Sequence, residues 1–124
     1  QPARLSQGQR SALDAVLALA CHCPVLLLDE IQLGMDAVVR RAFWNALLGL
    51  YVHERPTIIV SSHEVDDIED LVEDVVVLQH GGIAAATSAD ELRAAATAPD
   101  APLASLTDAL VDMTGPDHTA SATH

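Results

Sequence analysis

The chain has 124 residues, half of them hydrophobic, with a formal net charge of −12 and a pI near 4.5. That is enough chain for one domain of ordinary size with a real core. The acidic balance, with six arginines and no lysine, argues against a nucleic-acid partner, because phosphate neutralisation needs clustered cations. No apolar run approaches the roughly 20 residues that span a bilayer, and no basic-then-apolar leader is visible, so a cytoplasmic address is expected.

In chain order the first element is a helix. Ala12, Leu13, Val16, Leu17 and Ala20 recur at helical spacing, which predicts a helix from about Gln9 to His22, ended by Pro24. Leu5-Ser6-Gln7-Gly8-Gln9 opens it. Cys21 and Cys23 flank His22 too closely for a disulfide of normal geometry, and no second cysteine pair exists to complete a structural zinc site. They are expected to be buried thiols at the helix end. Val25 to Leu28 is a run of apolar residues without polar alternation, which predicts a strand buried on both faces, as in a helix-covered parallel sheet. Asp29 and Glu30 then stand at its carboxyl end.

Asp36 is a helix cap, followed by Val39, Phe43, Leu47 and Leu50 on one stripe, and this crossover helix should stop near His53 before Pro56. Thr57 to Val60 is the next strand, delivering Ser61, Ser62 and His63 to the sheet edge that carries Asp29. Ligands of open α/β sheets gather at that edge. A short acidic helix is expected after His63, with Glu64, Asp66, Asp67, Glu69, Asp70, Glu73 and Asp74 forming a solvated face.

Val75 to Leu78 and Ile83 to Ala86 flank His80-Gly81-Gly82 and predict a hairpin. Ser88 and Glu91 have the spacing of a capping box that starts another short helix. Residues 97–102 read as a linker, Leu103 to Met113 as a last amphipathic helix, and residues 116–124, with His118 and His124, as a disordered tail. Methionine occurs only at Met35 and Met113, so a preceding segment is expected.

The sheet edge has a definite chemistry. An apolar strand ending in two carboxylates suits hydrated Mg²⁺ at Asp29 beside a proton acceptor for water at Glu30. A histidine on the neighbouring strand, His63, can donate a hydrogen bond to a phosphate from a neutral ring. Ser6 and Gly8 at a helix start offer a hydroxyl and backbone N–H groups to an anion, with the helix dipole adding attraction. A phosphate fits there without any lysine.

These residues resemble the ATP-binding cassette (ABC) ATPases, in particular the C-terminal half of the ATP-binding subunit of an ABC exporter, over roughly Leu5 to Gly115. Leu5-Ser6-Gln7-Gly8-Gln9 resembles the signature motif, Val25 to Asp29 the Walker B strand, Glu30 the catalytic glutamate and His63 the switch histidine. Leu33-Gly34-Met35-Asp36 looks like the D-loop. Gly81-Gly82-Ile83 and the closing helix ending at Thr114-Gly115 are similar to the exporter pattern. The resemblance implies a partial P-loop α/β fold with parallel strands, crossover helices and a C-terminal hairpin, in which residues 1–96 are half of a nucleotide-binding domain. It also implies ATP and Mg²⁺ as ligands and a second nucleotide-binding domain closing head to tail. Ser6, Gln7, Gly8, Gln9 and Asp36 would then serve nucleotide across that interface, Asp29 the metal, and Glu30 and His63 catalysis. A transmembrane subunit would hold the protein at the inner face of the membrane.

The sequence departs from the family in three places. Gln7 stands where Gly is commonest, Ile31 replaces the Pro that usually follows the glutamate and is expected to loosen the approach to the D-loop, and Met35 replaces Leu. No Gly-x-x-x-x-Gly-Lys-[Ser/Thr] loop can be present without lysine, so the chain alone should bind ATP poorly. In the family's fold the Walker A strand lies between the two strands read here as Thr57–Val60 and Val75–Leu78. Its loss predicts a gap, an exposed strand and a poorly stable monomer. Two other readings share the motifs: a degenerate, non-enzymatic interaction module, and an ABC-type ATPase of DNA repair.

Overall fold

A computed structural model describes residues 4–115. The expected tail, with His118 and His124, lies outside the described residues. The chain forms two compact units, Gln1–His63 and Glu64–His124. Secondary structure is mixed α/β, with one parallel and one antiparallel pair of strands.

In the first unit, helix α1 (Gln7–Ala20) leads to β1 (Val25–Asp29), helix α2 (Ala37–Glu54) and β2 (Thr57–Ser61). Strands β1 and β2 pair parallel, from Val25 opposite Thr57 to Asp29 opposite Ser61. The ladder is extended at both ends, by Thr57 N–H on the Pro24 carbonyl and by Glu30 N–H on the Ser61 carbonyl. Asp36 caps α2 by accepting the Val39 N–H at 2.9 Å, and Arg55 ends that helix in the left-handed region with φ 54°. Both ends lie where the sequence places them.

Three expectations about burial are corrected, one of them at the end of α1, where Cys21 and Cys23 are exposed rather than buried thiols. In β1, Leu26 and Leu28 are buried but Val25 and Leu27 are exposed, Leu27 by 73%, so helices cover one face of this pair rather than both. A run without alternation shows that both faces are apolar, not that both are covered. In α1 the expected stripe of Leu13, Val16 and Leu17 is exposed, and the buried residue is Ala15. From Ala12 to Ala20 only Asp14 is polar, so this part of the helix offers more than one apolar face, and the small residue Ala15 is the one turned inward. The stripe of α2 holds at Phe43 and Leu47 and gains Trp44, whose ring centroid lies 4.8 Å from that of Phe43.

In the second unit, β3 (Asp74–Gln79) and β4 (Gly82–Ser88) form an antiparallel hairpin. Its two-residue turn, His80-Gly81, has both residues at positive φ, 50° and 77°, as a tight hairpin that follows strand twist requires. The register shifts between Val77 and Leu78, leaving Ala84 as a bulge. Helix α3 (Ala89–Ala96) and helix α4 (Leu106–Thr114) follow. Ala89, Leu92, Leu106 and Ala109 form a buried cluster, joined by Val65, Val72, Val75, Ala96, Leu110 and Met113. Helix α4 starts three residues later than Leu103, because Ser105 caps it by accepting the Asp108 N–H. The capping box at Ser88 is half formed: its hydroxyl accepts the Glu91 N–H, while the Glu91 carboxylate takes the Thr87 hydroxyl at 2.5 Å. That bond, with the Ser88 backbone behind it, holds the Glu91 carboxyl below its ordinary value.

The acidic segment after His63 is not a helix. Ile68 N–H bonds to the Val65 carbonyl and Leu71 N–H to the Ile68 carbonyl, giving two successive turns. Nor are its carboxylates all solvated. Asp66 accepts the Thr107 hydroxyl, and Glu69 accepts the Leu106 N–H at 2.9 Å, so the first turn of α4 draws them off. Arg93, only 13% exposed, donates to the Glu69 carbonyl at 2.6 Å. Glu69→Ala is therefore expected to lower unfolding free energy by about 1–3 kcal/mol, since it orphans a buried helix-end N–H. Asp70→Ala, on the exposed side, should stay within about 0.5 kcal/mol in the same denaturant titration.

Candidate functional site

The carboxyl end of the parallel pair gathers the residues singled out by sequence. Asp29, the last residue of β1, faces solvent and accepts the Ser61 hydroxyl of the strand beside it. Glu30 follows with its backbone in the left-handed region at φ 47°, held by its N–H bond to the Ser61 carbonyl at 2.9 Å. Its side chain is 29% exposed, and Oε1 lies 2.8 Å from His63 Nδ1. The two strands thus bring Asp29, Glu30 and His63 to one rim, with His63 64% exposed beside the carboxylate.

Gln32 was not foreseen in this group. It is only 5% exposed, and its amide donates to the Ser62 hydroxyl and, at 3.4 Å, to Glu30 Oε2, spanning both strand ends. Its Oε1 is buried without a partner among the described residues. The cue was its place two residues after Glu30, but nothing in an isolated glutamine marks it as buried. The turn that carries it needs no proline. Leu33 N–H bonds to the Glu30 carbonyl and Met35 N–H to the Gln32 carbonyl, and Met35 is buried beneath, so Ile31 leaves the turn formed.

The start of α1 meets this turn. Ser6 and Gln9 form a complete capping box, the Gln9 N–H on Ser6 Oγ at 3.1 Å and the Ser6 N–H on Gln9 Oε1 at 3.0 Å. A Cβ at Gly8 would lie 2.2 Å from the Gly34 carbonyl oxygen, and Gly34 itself stands at φ 79°. Backbone therefore touches backbone here, and both positions require glycine. Ser11 reinforces the contact by donating its hydroxyl to the Leu33 carbonyl at 2.7 Å. Gln7, Arg10, Ser11 and Asp14 of α1 line an open cleft of about 650 Å³ whose far wall is Asp29, Glu30 and Leu33. Arg10 and Asp14, missed by motif reading, follow Gln7 at helical spacing. Asp36 stands apart from the cleft lining as the cap of α2.

Sequence comparison decides what this arrangement belongs to. The chain is 37% identical over 83 residues to the energy-coupling factor transporter ATP-binding protein EcfA2 of Latilactobacillus sakei, covering 67% of this chain and 28% of that protein. It is 32% identical over 93 residues to the osmoprotectant import ATP-binding protein OsmV of Salmonella typhimurium, covering 75% and 24%. To the ABC transporter ced-7 of Caenorhabditis elegans it is 32% identical over 88 residues, covering 71% and 5%. The chain belongs to the ABC ATPases. No family model matches it. As an ABC ATPase chain it spans less than a third of the length of these curated relatives. Among the described residues no helix is long and apolar enough to cross a membrane.

Proposed function

We propose that this chain is the signature-to-switch part of an ABC transporter's ATP-binding subunit, which binds ATP with Mg²⁺ and couples its hydrolysis to a transmembrane partner at the inner membrane face. The observation that carries this reading is the 2.8 Å contact between Glu30 and His63, on the rim that also holds Asp29. Glu30 is the group that takes a proton from the attacking water. A carboxylate at Oε1 requires the ring to present Nδ1–H. His63 then holds the Glu30 carboxylate in place through Nδ1, and Glu30 itself keeps the proton it takes from water.

Asp29 would hold Mg²⁺ through the carboxylate oxygen that Ser61 leaves open. A lone carboxylate completed by water and substrate phosphates suits this ion, and no group of three potential ligands among the described residues competes for it. Bound there, Mg²⁺ would neutralise developing phosphate charge. Ser6, Gln7, Gly8, Gln9 and Asp36 serve nucleotide held by a second nucleotide-binding domain. The contact of Gly8 with Gly34 supports this assignment, since it joins the signature and D-loop segments into one surface.

The import named for one relative weighs against the export direction expected from the hairpin and closing helix. The experiment is Mg²⁺-dependent ATP hydrolysis by the complete subunit carrying these residues, with a Walker A loop on the same polypeptide. Turnover that rises with subunit concentration, as dimerisation demands, supports the reading. A complete subunit that binds no nucleotide overturns it.

A further inference from the structure

Among the described residues Gln32 is the only polar one that is buried, and the proposed ATPase chemistry assigns it no part. Its amide nitrogen lies between two acceptors, the Ser62 hydroxyl and, at 3.4 Å, Glu30 Oε2. An ionised carboxylate only accepts, so the amide must turn its nitrogen to Glu30 and its carbonyl away. That carbonyl oxygen is buried with no partner among the described residues, an arrangement that costs stability and that an apolar side chain of the same length would avoid. The carboxylate is thereby held on both oxygens, Oε2 by Gln32 and Oε1 by His63 Nδ1 at 2.8 Å. The terminal torsion of a glutamate is broad, so one hold leaves the group free to swing, whereas two fix its plane. Three successive residues at the end of β2 converge on Glu30. The Ser61 carbonyl takes its backbone N–H at 2.9 Å, Ser62 reaches its side chain through Gln32, and His63 touches it directly.

We propose that Gln32, anchored on Ser62, is a positioning residue that fixes the plane of the Glu30 carboxylate for the attacking water. This rests on the reading of Glu30 as the group that takes the proton of that water. Gln32 acts only through Glu30, since it is buried and is absent from the lining of the cleft that Glu30, Asp29, Arg10 and Asp14 share. The orphaned carbonyl is the structural consequence of aiming a donor at the carboxylate from the side away from that cleft. Reacting atoms tolerate little error, and a misplacement of about 1 Å can lower a rate on the order of 100-fold. Holding nucleotide does not depend on the rotation of Glu30, so loss of Gln32 should fall on kcat and spare KM.

The test is made in the complete subunit, with kcat, KM, ATP-dependent dimerisation and the denaturant midpoint measured on each variant. Gln32→Met keeps the length of the side chain and removes both the donors and the orphaned carbonyl. Its kcat should fall about 10- to 100-fold with KM within about twofold, and neither dimerisation nor the midpoint should drop. The same substitution in a Glu30→Gln background should change the residual single-turnover rate by less than about twofold, because the carboxylate it serves is already gone. A further fall of about 10-fold in that background, a rise in KM, or a loss of dimerisation or of midpoint would make Gln32 a structural residue and overturn the proposal. Wild-type turnover by Gln32→Met would overturn it as well. Wild-type turnover by Glu30→Gln would overturn the role of Glu30 and this proposal with it, and is read on that variant alone.

Discussion

Glu30→Gln in the complete subunit should cost about 10²–10⁴-fold in ATP turnover while leaving ATP-dependent dimerisation intact. The substitution keeps the shape and a carbonyl oxygen that can still accept from Gln32, so the turn from Glu30 to Met35 has no reason to move. What disappears is the carboxylate proposed to take the proton from water, and with it the charge facing His63. Binding energy gathered by the phosphates and the metal is unaffected, so a closed, nucleotide-loaded dimer should persist longer than in wild type. Single-turnover hydrolysis and size-exclusion with ATP read the two effects separately. Hydrolysis at the wild-type rate would remove Glu30 from the role of general base.

Gly8→Ala is the second large effect, and it acts through backbone. The new methyl would sit 2.2 Å from the Gly34 carbonyl oxygen, a distance no rotamer can relieve because neither atom belongs to a flexible side chain. Either α1 or the turn must shift, at about 1–3 kcal/mol of stability in the denaturant midpoint. Gly49 supplies the control. A Cβ there meets nothing within 4 Å inside α2, so Gly49→Ala should raise stability by about 0.5–1 kcal/mol. In the complete subunit Gly8→Ala should also reduce turnover, since the residues at the start of α1 proposed to serve nucleotide would no longer stand where the Gly34 turn holds them. An unchanged midpoint would mean that the start of α1 and the Gly34 turn do not touch.

Much of the rim was legible because it depends on strand direction and spacing alone. Parallel pairing sends Asp29 and Ser61 to the same end, and the residues after them follow, so His63 had to arrive near Glu30 once both strands were identified. Caps were legible for the same local reason, as Asp36 shows. Legibility failed where a residue's fate depends on what covers it. Leu27 and Val16 carry the composition of core yet face outward, Gln32 carries that of surface yet is buried, and Cys21 and Cys23 are thiols left in the open. The segment from Glu64 to Glu73 misled for another reason. Its apolar spacing fits a helix, but Asp66 and Glu69 are committed to the start of α4, some 40 residues away in sequence, and such a competition leaves no local trace.

The backbone at Glu30 has one further consequence. A left-handed conformation is taken readily by glycine, asparagine and aspartate, whereas the longer glutamate adopts it at a local cost of about 1 kcal/mol or more. None of those easier residues places an acid group at the reach of a two-carbon stem. Mutational drift at this position therefore has a downhill path towards a sturdier chain without the proposed proton acceptor, and if Glu30 has that role only selection for turnover opposes it.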